Sequence, residues 1–340
     1  MTNIDLMQYN WNDSWAEMSQ SDLSENGWAH SGMAIRENGE IITADSGESR
    51  IIIYDSEGSI INSWQGNFTH AHGITLSYDD NDNEVLWIAD NGSRKEQIIG
   101  YKESPGNESK SGRVFKTTLC GDELIELSAP IHKAYEKIRY APTAVIIDEK
   151  SLGGNGDIWV ADGYGANLVH QYDQKGNFIK TIDGSNAAGS FKCPHGITID
   201  RRKPIPELYI ADRVNKRVQV FNLAGVFLRS FGEDFLSTPS GFATLGDNLV
   251  IAELRGRLTI TDINDDFLGY LFNNEGVEKT PGWPNTIDSN GVISKTNNLS
   301  SDKLNSPHGI VTDDIGNIYI TEWLIGGRII KLSPKSHVEM

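Results

Sequence analysis

The chain has 340 residues, of which 38% are hydrophobic, and its formal net charge is −17. This acidity argues against nucleic acid or an anionic membrane surface as a partner, and no apolar run reaches the roughly 18 residues that a membrane-spanning helix needs. Because residues 1–27 are polar and acidic, unlike a secretory leader, we expect a cytoplasmic enzyme.

A short motif recurs six times: a small or proline residue, one variable position, another small residue and an apolar run. We call the variable position the anchor. The anchors are Ser31, His72, Thr143, His195, Ser240 and His308. A motif that recurs along a chain in this way is typical of repeat folds, in which each copy forms one structural unit.

Further apolar runs follow each anchor in chain order. The second run of each unit ends in an acidic residue, and these acids are Asp45, Asp90, Asp162, Asp212, Glu253 and Glu322. Third and fourth runs follow, rich in β-branched and aromatic residues and separated by Gly, Asn and Asp, which indicates strands and turns. Four strands in each of six units predict an all-β, six-bladed β-propeller with four-stranded antiparallel blades. A β-sandwich is the main alternative, but it gives no reason to repeat one motif six times. The six acids are expected to stabilise turns.

One propeller domain is expected to span residues 1–340. The last unit has only three strands, so we expect a strand near residues 5–11, within the N-terminal segment 1–27, to complete it and close the ring. Insertions at 91–112 and 273–305, and a shorter one at 129–140, interrupt the period. Since they leave the blades at the rim where the anchors lie, they are either surface loops or lids over that mouth.

Histidine occupies every second anchor: His72, His195 and His308. In a six-bladed ring these side chains lie about 120° apart around the axis, and their rings converge. Three neutral imidazoles with an open fourth position are the ligand set of a catalytic zinc, although copper, iron or nickel also fit. The alternative is that they are polar residues that cap the channel. His30 and His70 lie beside anchors and are candidates for orienting the ligands or contacting substrate.

The repeat unit Pro-x-Gly-Ile/Val, an apolar strand ending in Ala-Asp, and Arg-Val-x-Val-Phe resembles the NHL-repeat propellers. A narrower set of segments resembles the peptidyl-α-hydroxyglycine α-amidating lyase family, namely residues 68–74, 162–164, 194–196, 211–219 and 307–308. The resemblance implies that the three anchor histidines bind zinc, that Tyr164 transfers a proton and that Arg213 holds the substrate. It also implies cleavage of an N-acyl-α-hydroxyglycine, a carbinolamide, into an amide and glyoxylate.

Two positions depart from that family. Gly309 stands where the family has an acidic residue that contributes to a structural calcium site, which argues against calcium here. Asp45 and Ser46 stand where the family uses an arginine, so a peptidyl substrate is not assumed. Asp45 itself, Arg50 and Arg94 are further candidates for contacts to substrate, and either arginine could supply the missing charge.

Residue chemistry points the same way. Tyr164 and Arg213 each follow a second-strand acid by one or two residues, so both are expected at the histidine mouth. A phenol near a divalent cation ionises more easily and can accept a hydroxyl proton, and a guanidinium binds a carboxylate with two parallel hydrogen bonds. We therefore expect a metal-dependent lyase, with zinc as the first choice of metal, that acts on a small hydroxylated polar molecule. A metal-dependent hydrolase or hydratase, and a non-enzymatic propeller that binds a ligand or protein, remain the alternatives.

Overall fold

The protein is described by a computed structural model that covers residues 9–94 and 110–335. Six four-stranded antiparallel sheets stand around a central axis, and their first strands contact one another in a closed ring. The predicted six-bladed propeller is therefore confirmed. Most of the 91–112 insertion, residues 95–109, and residues 5–8 of the predicted closing segment lie outside the described residues.

The strands are numbered outward from the axis within each blade. Blade 1 comprises Met33–Ile35, Ile41–Ala44, Arg50–Tyr54 and Ile60–Gln65. Blade 2 comprises Ala71–Tyr78, Glu84–Asp90, Arg113–Thr118 and Glu123–Leu127. Blade 3 comprises Ala144–Ile147, Ile158–Asp162, Leu168–Tyr172 and Phe178–Ile182. Blade 4 comprises Pro194–Asp200, Glu207–Asp212, Arg217–Asn222 and Phe227–Phe231. Blade 5 comprises Pro239–Leu245, Asn248–Glu253, Arg257–Thr261 and Phe267–Leu271.

Blade 6 takes its outer strand from the other end of the chain. Its first three strands are Pro307–Thr312, Ile318–Glu322 and Ile329–Pro334, and Tyr9–Asn12 pairs antiparallel with the last of them. The Trp11 ring lies 5.1 Å from that of Phe272 in blade 5, and the Arg328 guanidinium lies 5.4 Å from the Trp11 ring. The predicted closure of the ring by the N-terminal segment is confirmed.

Helices are few and short. The helical segments are the α-helix Asp22–Asn26 and the 3-10 helices Lys133–Glu136, Lys150–Leu152, Arg213–Asn215 and Val277–Lys279. A small hairpin of Thr286–Ile287 and Ile293–Ser294 belongs to the 273–305 insertion. Among residues 9–94 and 110–335, no helix is apolar and long enough to cross a membrane.

The six acids that end the second strands stabilise turns, as predicted. Each carboxylate accepts backbone N–H groups; Asp90, for example, accepts from Thr69 and His70 at 2.8 and 2.9 Å. Four of them also pair with an arginine of the third strand, as Asp212 does with Arg217 at 2.9 Å. In blades 2 to 6 these bonds hold the segment just before the anchor, so the buried carboxylates fix where each anchor begins.

Close packing around the axis explains the glycine that follows most anchors. A Cβ atom on Gly73 would lie 2.7 Å from the Thr143 carbonyl oxygen, and one on Gly196 would lie 2.4 Å from that of Ser240. In blades 2, 4, 5 and 6 the strand pairing shifts by one residue across the anchor. Such a β-bulge redirects a side chain out of the regular alternation, and here it belongs to the anchor.

Candidate metal centre

Two of the anchor histidines, His72 and His195, are oriented by the blade that follows each of them. His72 Nδ1 lies 2.6 Å from the carbonyl oxygen of Thr143, and His195 Nδ1 lies 2.8 Å from that of Ser240. Because a carbonyl oxygen can only accept, both Nδ1 atoms carry the proton and donate it. The Nε2 atom of each neutral ring is then unprotonated, which is the form that binds metals.

His308 completes the set of anchor histidines from blade 6, whose first strand contacts that of blade 1 across the seam of the ring. Its Nε2 lies 3.2 Å from Nε2 of His195. Two nitrogens bound to one tetrahedral zinc at about 2.0–2.1 Å lie about 3.3 Å apart, so this spacing fits a shared metal. Burial, reinforced by the charge of Arg213 and by neighbouring histidines, holds the pKa of both rings well below its usual range, which keeps them neutral.

His30 joins the three anchor histidines. One ligand nitrogen from each of the four rings lies within 4.8 Å of the others, and all four residues are buried. The His30 ring centroid lies 4.5 Å from that of His308 and 4.6 Å from that of His72. This buried four-histidine group could bind a metal ion. The sequence placed His30 only beside an anchor, because it directly precedes Ser31 and so breaks the alternation.

His70 lies next to the group but is not one of its four residues. Its ring centroid is 5.5 Å from that of His30, and its Nδ1 lies 3.3 Å from the side-chain nitrogen of Asn91. The two histidines that the sequence treated alike therefore lie at different places. Of the pair, only His30 can share a metal with the anchors.

Tyr164 and Arg213 both reach the histidine group. The Tyr164 hydroxyl lies 3.0 Å from His30 Nε2 and 3.1 Å from His195 Nε2, and Arg213 Nη1 donates to it at 3.4 Å. Burial raises the pKa of Tyr164 to about 12, while the Arg213 charge acts in the opposite direction. Without a metal, the phenol is therefore protonated at neutral pH, and a nearby dication would favour the phenolate.

The turn that carries Tyr164 is fixed by a buried network from the 129–140 insertion. Asp162 accepts from the backbone N–H groups of Ala141 and Ala166 at 2.8 and 2.6 Å. The Tyr135 hydroxyl donates to Asp162 at 2.8 Å and lies 2.6 Å from Nε2 of His170. Since the hydroxyl has only one proton, the His170 Nε2–H must donate to it.

A cavity of about 390 Å³ opens above the histidines. It is lined by Trp28, His30, His70, Asn91, Ser93, Arg139, Tyr164, Arg213, Leu254 and Trp323. A second cavity of about 280 Å³ lies along the first strands of the blades, and the three anchor histidines are among the residues that line it. The metal group thus stands between the mouth and the central channel.

Arg139 was not foreseen from the sequence. It lies in the 129–140 insertion, which has no counterpart in the repeat, and its guanidinium donates to the carbonyls of Asn91 and Lys110. Its side chain lines the mouth together with Arg213. The cavity therefore has two cations, although the first-blade arginine of the resembled family is absent.

The remaining candidates, Asp45, Arg50 and Arg94, make contacts at the rim and do not line the mouth cavity. Asp45 pairs with Arg50 at 2.7 Å and also accepts from Ser24 Oγ at 2.7 Å. Arg94 donates to the carbonyl of Thr69 at 2.9 and 3.2 Å and to the carbonyls of residues 46 and 48. Neither arginine is among the residues that line the mouth.

Comparison with known proteins supports the resemblance seen in the sequence. Human NHL repeat-containing protein 3 is 26% identical over 239 residues, which is 66% of this chain and 61% of that protein. The probable peptidyl-α-hydroxyglycine α-amidating lyase of Caenorhabditis elegans is 27% identical over 176 residues, covering 51% and 43% of the two chains. The Drosophila melanogaster peptidyl-α-hydroxyglycine α-amidating lyase 1 is 26% identical over 297 residues, covering 81% and 47%. The chain is similar to both kinds of protein.

These matches span less than two thirds of each relative's own length, and no family model matches the chain. Among solved structures, a streptogramin B lyase superposes with a TM-score of 0.57 at 14% identity, covering 97% of this chain and 99% of that one. A gluconolactonase of Xanthomonas campestris gives 0.55 at 12% identity, covering 92% and 88%. At such identities the superpositions establish the propeller fold alone.

Proposed function

We propose that the protein is a metal-dependent lyase that cleaves the C–N bond of an α-hydroxyglycine-type carbinolamide. The observation that carries the proposal is the meeting of buried imidazole nitrogens, a phenol and a guanidinium at one point of the mouth. The similarity to amidating lyases supports it. The cytoplasmic location and the small-molecule partner expected from the sequence stay predictions.

The donor set fits the metal that this chemistry needs. His72, His195 and His308 would each hold it through one ring nitrogen, which is Nε2 in His72 and His195, and zinc is the first choice because neutral imidazoles suit it. Other transition metals accept the same ligands. When bound, a divalent cation supplies Lewis-acid activation of the substrate hydroxyl, whose pKa falls.

Tyr164 and Arg213 would perform the remaining steps. The Tyr164 oxygen takes the proton of the substrate hydroxyl, the C–O bond becomes the aldehyde carbonyl of glyoxylate, and the C–N electron pair goes to nitrogen. The nitrogen gains a proton, which Tyr164 can return, and the amide leaves. Arg213 holds the carboxylate that remains on glyoxylate, and its charge also favours the phenolate form of Tyr164.

The test is glyoxylate release from N-acyl-α-hydroxyglycines by protein of measured metal content. The wild type should hold about one metal per chain and turn over, since three buried imidazoles that already face one point bind a metal tightly. Tyr164→Phe should lower kcat by at least about 100-fold, the usual contribution of a general base. Tyr78→Phe is the matched control, because its hydroxyl makes an exposed contact with Glu37 at the end of the strand Ala71–Tyr78 that is farthest from His72.

Other outcomes point to the alternatives. Metal-loaded protein without turnover would favour a hydrolase or hydratase, and turnover that survives Tyr164→Phe would remove the proposed base. Protein that binds no metal, with a His195→Ala variant that behaves like wild type, would leave a ligand- or protein-binding propeller.

A further inference from the structure

The mouth cavity is divided into two chemically different halves. Blades 5, 6 and 1 contribute Leu254, Trp323 and Trp28. Blades 2, 3 and 4, with the insertion between the first two, contribute Asn91, Ser93, Arg139, Tyr164 and Arg213. Since blades 5, 6 and 1 are neighbours in the ring, the apolar residues form one continuous wall opposite the cations.

The apolar wall is a built surface with its own support. The rings of Trp28 and Trp323 stack with centroids 5.4 Å apart and planes at 28°. The Trp283 ring packs edge-on against the Trp323 ring, with centroids 5.7 Å apart, and Ile293 and Leu254 belong to the same cluster. Because Trp283 and Ile293 belong to the 273–305 insertion, this insertion supports the wall of the cavity.

The opposite half attracts an anion. Arg139 is oriented by the carbonyls of Asn91 and Lys110, and Arg213 stands beside Tyr164 and the metal group. Two guanidinium groups in a partly buried cavity favour a negatively charged ligand, although the whole chain carries −17.

We propose that the substrate is an N-acyl-α-hydroxyglycine whose acyl group ends in a flat apolar ring, such as an aroyl group. The inference rests on the proposed function. With the hydroxyl at the histidines and the carboxylate at Arg213, the acyl group must leave the metal in another direction, and the wall of Trp28, Trp323 and Leu254 receives it. Aromatic rings stack favourably on such a surface. A volume of about 390 Å³ suits one small molecule.

The test measures binding rather than turnover. Metal-loaded protein is titrated calorimetrically with three non-cleavable probes: N-benzoylglycine, N-acetylglycine and N-methylbenzamide. We expect N-benzoylglycine to bind at least tenfold more tightly than either of the others, because only it has both the ring and the carboxylate. Equal affinities for the benzoyl and acetyl compounds would overturn the apolar subsite. N-methylbenzamide binding as tightly as N-benzoylglycine would overturn the anionic one.

A variant on the wall localises the effect. Leu254→Ala should reduce the benzoyl-to-acetyl ratio to below threefold and leave N-acetylglycine binding unchanged. Leu228→Ala is the control, since Leu228 is 44% exposed on the outer strand of blade 4. An unchanged ratio in Leu254→Ala would place the ring elsewhere and refute the proposal. If the probes bind as expected but no α-hydroxyglycine is cleaved, the proposed function fails while the subsite stands.

Discussion

His170 gives a quantitative test of the network that fixes the Tyr164 turn. It is fully buried in the third strand of blade 3, between Tyr135 and the Thr181 hydroxyl at 2.9 Å. Burial, with a smaller effect from His132, lowers its pKa to about 3. The folded protein therefore keeps this ring neutral, whereas the unfolded chain protonates it below a pKa of about 6.5.

The sign and size follow from linkage. A lowered pKa in the folded state means that the unfolded chain binds more protons between pH 6.5 and 3, so stability falls as the pH falls below about 6.5. At pH 5.0 the pH lies about 1.5 units below the pKa of the unfolded chain. At about 1.4 kcal/mol per unit, His170 therefore lowers the free energy of unfolding by about 2 kcal/mol relative to neutral pH. His170→Gln removes the titrating group, so its loss of unfolding free energy between pH 7.5 and pH 5.0 should be about 2 kcal/mol smaller than that of the wild type.

Urea denaturation of the metal-free wild type and His170→Gln at both pH values measures how much unfolding free energy each protein loses between them. Any cost of the substitution that is the same at both pH values cancels. His132→Gln is the comparison variant: it removes only the smaller effect on His170, so its pH dependence should stay close to that of the wild type. An identical pH dependence in the wild type and His170→Gln would refute the reasoning, since it would mean that the folded protein accommodates a protonated ring.

Three further predictions concern the metal group, the substrate cation and the closure of the ring. His30→Ala should weaken zinc binding at least tenfold in a chelator competition, and it should alter the visible spectrum of the cobalt-substituted protein. His70→Ala should change the zinc affinity less than threefold, because of these two histidines only His30 belongs to the four-histidine group. Arg213→Lys should raise KM for α-hydroxyglycines about tenfold in glyoxylate assays, because an ammonium group cannot form two parallel hydrogen bonds to a carboxylate. Trp11→Ala should cost about 2 kcal/mol in urea unfolding, since its ring packs between blades 5 and 6, whereas Ile61→Ala, on the outer strand of blade 1 and 50% exposed, should cost little.

Each of these has an outcome that contradicts it. Equal affinities and spectra in His30→Ala and the wild type would leave a three-histidine site. An unchanged KM in Arg213→Lys would move the carboxylate to another cation, and Arg139 is then the residue to test. If Trp11→Ala and Ile61→Ala cost the same, the closing strand contributes no more than any outer strand.

The fold could be predicted from the sequence because the residues that recur in each unit have the same structural role in every blade. The acids that end the second strands, such as Asp90 and Glu322, recur because every unit needs buried acceptors at the same turn. The alternation in the sequence likewise predicted the contact among the rings of His72, His195 and His308, which are neighbours in the structure.

The parts of the site that the sequence missed come from outside the repeat. His30 lies one residue before its anchor, so its spacing gives no signal, although in the folded protein its ring lies with the other three. Arg139 and Trp283 lie in insertions whose paths depend on contacts with distant segments such as residues 91–93 and Trp323. Their positions cannot be derived from periodicity.

The hydrogen bonds from the anchor histidines give the ring two different periods. Its architecture repeats every blade, but its chemistry repeats every second blade, since His72 and His195 each hydrogen bond to the backbone of a hydroxyl-bearing anchor in the next blade. Adding or removing one blade would place two anchors of the same kind side by side and so break the alternation of histidine with a hydroxyl-bearing residue. A change of two blades would preserve it, so a ring in which the two kinds of anchor alternate strictly must have an even number of blades.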